Sequence, residues 1–231
     1  MRPPLTLGVL GGLGPAATLD FLQRLQAGTP AVFERDHIRV LADINPKLAD
    51  PETASAGFAL AEAAGALSGA GADVLAIVND AAHAHAELIE RASGLAIIDM
   101  IDAATVAARA TGARRVGVLG PRGALKLYRE YVAAHAMGMV SLENDDVQAF
   151  AATLQAVRDG DLGPERRAEL RAFAEALLAA GAEVLIAGAV ELPMILDPAQ
   201  VPAPLIVPAE ALARRCVAVC LGLEPAPLPA V

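Results

Sequence analysis

Two kinds of apolar pattern alternate along the chain. Short runs bounded by glycine or polar clusters predict strands at Leu5–Leu10, Ile38–Ala42, Val74–Val78, LAIIDM, Arg115–Leu119, the strand and loop MGMVSLEND, the run after Gly181 and PAPLIVP. Longer stretches with leucine and alanine at helical spacing predict helices. These begin at Pro15 (through Leu19, Leu22 and Leu25), cover Thr53–Ser68, pass through His83, His85 and Glu87, and continue over IDAATVAARATG. Further helices pass through Leu127, Tyr128 and Tyr131 and cover Gln148–Arg158, Arg166–Ala180 and Glu210–Leu221. Strands alternating with helices of about 10–15 residues predict an α/β fold with mostly parallel sheets flanked by helices.

The pattern also repeats. GADVLAIVNDAAH begins at Gly71 and GAEVLIAGAVELP at Gly181, a shift of 110 positions. GVLGGLGPA from Gly8 and GVLGPRGAL from Gly117 are shifted by 109. Two pairs at nearly one offset predict a duplicated unit: two pseudo-symmetric lobes with a site in the cleft between them. The expected division is 1–101 plus 208–231 for the first lobe and 102–207 for the second, the final helix returning to the first lobe.

Composition narrows the classes of function. Hydrophobic residues make up 55% of the 231, yet no run of about 18 lacks a polar interruption, so no membrane span is expected. The N-terminus lacks the build of a signal peptide, which makes the cytoplasm the expected location. A formal charge of −9 and 3% aromatics argue against a nucleic-acid partner. A small anionic substrate stays possible, because a few local cations outweigh a distant field. Cys216 and Cys220, four apart in a helical stretch, read as small apolar residues on one helix face, and no metal-ligand cluster is expected.

Candidate chemistry gathers where strands end. Gly11, Gly12 and Gly14 release the backbone for a tight turn, and Pro15 suits the first turn of a helix whose free amides attract an anion. The spacing is not G-x-G-x-x-G and no G-K-[ST] occurs, so no nucleotide site is assigned. Asn45 and Lys47 leave the second strand at its C-terminal end. Asp80 caps the following helix or handles a proton. His83 is a packed, a solvated or a proton-transferring histidine.

GGLGPAATLDF, RDHIRVLADINPKLAD, NDAAH and GAEVLIAGAVELP, in this order over nearly the whole chain, resemble the aspartate/glutamate racemase superfamily, and the first two its aspartate racemase branch. The resemblance implies two α/β lobes, a homodimer, and a site that needs no cofactor, pyridoxal phosphate included. It also implies two cysteines that remove and return a proton on opposite faces of a substrate α-carbon. Where the family reads Pro-Cys-Asn-Thr-Ala-His, this chain has Val78, Asn79, Asp80, Ala81, Ala82 and His83. Where it reads Gly-Cys-Thr-Glu, the chain has Gly188, Ala189, Val190 and Glu191. Asn79 and Ala189 therefore stand at the two thiol positions.

The resemblance then implies Asp80, His83 and Glu191 as the residues left for acid–base work. Gly12, Gly14, Asn45 and Lys47, with Asn79, Ala81, Gly123, Ala189 and Val190, line the substrate. The expected function is a cofactor-independent enzyme acting at the α-carbon of a small amino or dicarboxylic acid. Its chemistry is racemase-like isomerisation, or one-sided decarboxylase or lyase chemistry. The alternative is a non-catalytic small-carboxylate-binding protein on the same scaffold.

Overall fold

A computed structural model describes residues 4–46 and 53–229. In chain order the elements are β1 (Leu7–Gly11), α1 (Pro15–Gly28), β2 (Val40–Ile44), α2 (Ala54–Gly69), β3 (Val74–Ile77), α3 (Ala86–Ser93), β4 (Ile97–Ile98) and α4 (Met100–Ala110). They continue with β5 (Arg115–Leu119), α5 (Arg122–Ala134), β6 (Gly138–Val140), α6 (Asn144–Arg158), α7 (Pro164–Ala179), β7 (Val184–Ala187), β8 (Leu205–Ile206) and α8 (Pro208–Cys220). The chain divides into two compact units, Met1–Ala103 with Ala209–Val231, and Ala104–Pro208. No helix among the described residues is long and apolar enough to cross a membrane.

Each unit holds one four-stranded, all-parallel sheet, in the order β2-β1-β3-β4 in the first and β6-β5-β7-β8 in the second. The two sheets share one order and one register: Gly8 pairs with Leu75 and Gly117 with Leu185. Helices cover them. In the first unit Leu60, Leu67, Leu75, Ile77 and Ile89 form a core. In the second, Phe150, Leu154, Leu170, Leu177 and Leu185 do so, with Phe150 edge-on to Phe173 at 5.6 Å between ring centroids.

The sequence repeat has a packing cause. A Cβ on Gly8 would lie 2.7 Å from Leu75 Cδ2 and 3.0 Å from Ala72 Cβ; on Gly117 it would lie 2.6 Å from Leu185 Cδ2 and 3.0 Å from Ala182 Cβ. The acid of each Gly-Ala-acid-Val-Leu run closes the start of the neighbouring strand. Asp73 Oδ2 accepts from the Thr6 amide at 2.7 Å, and Glu183 Oε2 from the Arg114 amide at 2.6 Å. The Arg114 hydrogen bond holds the Glu183 carboxyl below its ordinary range. Gly-Ala-acid thus seats the central strand pair of each sheet.

Pairing with β1 corrects one expected boundary. The ladder from Leu7↔Val40 to Gly11↔Ile44 carries β2 past Ala42 to Ile44. Asp43 therefore lies within the strand, and Asn45 directly follows it.

Candidate functional site

The turn after β1 is held from inside. The Gly12 amide donates to Thr18 Oγ1 at 3.2 Å, and that hydroxyl donates to the Gly14 carbonyl at 3.3 Å. Thr18, fully buried, thereby knots the turn to the first coil of α1. Gly12 has φ +93°, and a Cβ there would sit 2.4 Å from the carbonyl carbon and oxygen of Asn45. Its backbone is thus in contact with the residue that ends β2. The Gly12 amide is turned inward onto Thr18, and the residue's structural part is this close approach. Lys47 lies outside the described residues.

The turn after β3 is built on Asn79. Its Nδ2 donates to the Leu13 carbonyl at 3.3 Å and its Oδ1 accepts from the Ala82 amide at 3.1 Å. One side chain thus ties two loops of the sheet edge together. The amide orientation follows from these two partners. Asn79 therefore takes the capping part expected of Asp80, whose side chain makes no cap hydrogen bond. Asp80 is 3% exposed, and Ala81 beside it is buried as well.

Asn79→Asp tests the knot. It keeps the Ala82 acceptor but sets a second carboxylate oxygen against the Leu13 carbonyl, an acceptor facing an acceptor. The expected cost is about 1–3 kcal/mol in urea denaturation at pH 7. An unchanged midpoint would remove Asn79 from this role.

His83 lies not in a regular helix but in a 3-10 turn, Ala81–His85, ahead of α3. Its ring is buried between backbone groups. Nδ1 is 2.9 Å from the Asn79 carbonyl and Nε2 accepts from the Met100 amide at 3.1 Å. Because Nε2 accepts, the pattern is that of the neutral ring with its proton on Nδ1. Asp99 Oδ1, 3.9 Å from Nε2, is occupied with the Ile101 and Asp102 amides at the start of α4. Proton transfer through His83 therefore requires one of its two ring hydrogen bonds to open.

In the second unit Gly123 stands in the first turn of α5, where Arg122 begins the helix. The loop after β7 carries Ala189, buried at 4% exposure, half-buried Val190, and Glu191. Glu191 Oε1 pairs with Arg158 Nε at 2.7 Å, from the last turn of α6. Neither Arg158 nor Thr18 is singled out by the sequence pattern. An (i, i+3) or motif signal does not reach a partner 33 positions away.

The two cysteines are not in these loops. Cys216 and Cys220 are free and buried in α8. Burial pushes the Cys216 thiol well up, and burial, then the nearby Asp73 carboxylate, pushes Cys220 up to about 12. Both are protonated near neutral pH and cannot supply a thiolate base. An acid group raised on folding contributes its stability below its unfolded pKa and loses it as pH climbs toward the folded value. Stability is therefore expected to fall from about pH 9 upward. The fall should be shallower in a Cys216→Ala, Cys220→Ala double variant, measured as urea midpoint against pH; equal slopes would refute the assignment.

Among the described residues no group of three or more His, Cys, Asp or Glu side chains could hold a metal ion.

Comparison with known proteins matches this arrangement to one family. The family model for Asp/Glu/Hydantoin racemase matches residues 10–216. A provisionally assigned Asp/Glu racemase from Yersinia pestis superposes with a TM-score of 0.82 at 21% identity, covering 94% of this chain and 99% of its own. An aspartate racemase from Picrophilus torridus gives 0.76 at 21% identity, covering 92% and 93%. An arylmalonate decarboxylase mutant, a protein of different activity, gives 0.58 at 16% identity, covering 96% of both. At these identities the structures share the fold; the family match over residues 10–216 carries the membership. The chain belongs to the Asp/Glu/Hydantoin racemase family.

Proposed function

We propose that the protein is a cofactor-independent enzyme acting at the α-carbon of a small amino or dicarboxylic acid without the two-thiol mechanism. The observation that carries this reading is the turn after β3, where Asn79 is committed to holding two loops and Asp80 is the buried carboxylate next to it. Asn79 has no titratable proton near neutral pH, and Ala189 has no functional group at all. Asp80 takes the proton on the first loop, and Glu191 is the acid–base group of the second. His83 holds the Asn79 carbonyl and the start of α4 rather than carrying the proton. Asn45, Lys47 and the turn through Gly12 and Gly14 hold the carboxylate.

With a carboxylate on each loop and no matched thiol pair, one-sided chemistry suits the residues better than symmetric proton exchange. Decarboxylation needs one proton delivered to the carbanion and elimination one proton removed from carbon, whereas racemisation needs a base and an acid of matched strength on opposite faces. The test is incubation with a panel of small amino and dicarboxylic acids in D2O, followed by NMR. Deuterium at Cα, loss of CO2 or a new alkene each selects one branch, and none of them with any member of the panel overturns the enzyme reading.

A second reading, a non-catalytic small-carboxylate binder on this scaffold, is favoured by the same two residues, Asn79 and Ala189. Binding by calorimetry without exchange or product would select it.

A further inference from the structure

The outer strands of the two sheets are β2, β4, β6 and β8. Three are short: β4 and β8 have 2 residues each and β6 has 3. β2, Val40–Ile44, has 5, and no strand pairs with its outer side among the described residues. A long open edge invites another strand, and natural sheets blunt such edges by shortness, charge or proline. β2 is neither short nor interrupted by proline, and the charges that bracket its centre, Arg39 and Asp43, have opposite signs.

Register decides which groups this edge offers. Leu7 stands opposite Val40, and the Leu7 amide donates to the Arg39 carbonyl at 3.0 Å. In a parallel ladder this turns the backbone groups of Arg39, Leu41 and Asp43 toward β1, and those of Val40, Ala42 and Ile44 outward. Ala42 and Ile44 are exposed. Arg39, Leu41 and Asp43 share one face of the strand. Leu41 packs against the core of the first unit. Arg39 is exposed and Asp43 half-buried, and neither has an ion pair among the described residues.

The geometry points to β2 as a two-fold interface, on which the same strand of a second copy of this chain pairs antiparallel and continues the sheet. With the axis at Leu41, Val40 and Ala42 of one copy exchange backbone hydrogen bonds with Ala42 and Val40 of the other. Arg39 then faces Asp43 of the second copy, and Asp43 faces its Arg39, in the closely spaced positions between those bonds. Slipping the axis to Val40 or Ala42 sets one of these charges against Leu41 instead, so charge fixes the register. The run Arg-Val-Leu-Ala-Asp is thus complementary to its own reverse. A two-fold contact requires this property, and it selects a second copy as the occupant.

Sedimentation velocity on the full chain, over a wide range of concentration, reads the association. Wild-type protein is expected to dimerise. Ala42→Pro removes an outward-facing donor and leaves the bonds to β1 in place, as proline on an edge strand can. It should shift the dimer to monomer with the circular dichroism spectrum unchanged. Arg39→Asp and Asp43→Arg each set like charges opposite one another and should each weaken the dimer by about tenfold or more. The double variant carrying both changes restores opposite pairs and should recover the wild-type dissociation constant. Wild-type protein that stays monomeric overturns the inference and leaves the edge to a strand of another protein or to solvent. So does a dimer that survives Ala42→Pro, one indifferent to the charge reversals, or a loss that the double variant fails to recover. Should Ala42→Pro not fold, the charge series decides alone.

Discussion

Alanine at Gly12 is expected to destabilise the first unit by about 3 kcal/mol or more, lowering its thermal midpoint by roughly 6–12 °C for a chain of this size. Two terms add. At φ +93° any Cβ is strained, by about 1–2 kcal/mol. The new methyl would also meet the Asn45 backbone at 2.4 Å, and a backbone carbonyl cannot swing aside as a side chain can. Gly94 separates the two terms. It also has positive φ, +68°, at the C-cap of α3, but nothing lies within 4 Å of a Cβ built there. Gly94→Ala should therefore cost only the strain term. Equal midpoints for the two variants in differential scanning calorimetry would refute the contact between the glycine turn and Asn45. Because Asn45 is a proposed carboxylate-binding residue, Gly12→Ala should also weaken succinate binding, whereas Gly94→Ala should not.

Asp80→Asn carries the largest expected effect on activity. The change is isosteric, keeps a polar group at a site 3% exposed, and removes the proton-accepting oxygen. If Asp80 takes the proton, turnover should fall by about 10²–10⁴-fold, or roughly 3–5 kcal/mol of barrier, with ligand affinity changed far less. The measurement is deuterium uptake or product formation by NMR under single-turnover conditions, with circular dichroism to confirm folding. Unchanged turnover would exclude Asp80 as the base. His83→Gln tests the complementary role. It removes the Nδ1–H donor and the Nε2 acceptor in one step, so it should lower the melting midpoint along with turnover.

The two loops of the repeat share a scaffold and differ at their tips. On the first, the side-chain amide of Asn79 knots Leu13 to Ala82. On the second, Ala189 accepts from the Leu192 amide through its backbone. The remaining carboxylates differ in the same way. Asp80 is buried, whereas Glu191 is half-buried and steered by an arginine.

Much of this was legible in the residues alone. Strand Arg115–Leu119 begins and ends where its glycine and polar neighbours predict, and the parallel order of both sheets follows from the alternation of strands and helices. The offsets of 110 and 109 mark a duplicated unit because each copy needs the same glycine under the same leucine. The burial of both cysteines agrees with their apolar spacing. What the pattern could not show is where polar atoms find their partners. Hydrophobic periodicity records which face of an element is buried and is silent about hydrogen bonds that join distant elements. Thus the cap that the pattern offered to Asp80 is made by Asn79, and the bond between the Gly12 amide and Thr18 has no signal in the pattern.

By itself, then, the sequence determined the repeated α/β plan, with its strands, its helices and the glycines at its strand ends. These depend on local propensity, on repeated close packing and on residue identity, all of which are written along one dimension. Only the tertiary structure decided that His83 is saturated by two backbone groups, that Gly12 abuts Asn45, and that Arg158 holds one oxygen of Glu191 while the other lies buried. Each of these depends on the distance between atoms brought together by sheet register and helix packing, which no spacing along the chain encodes.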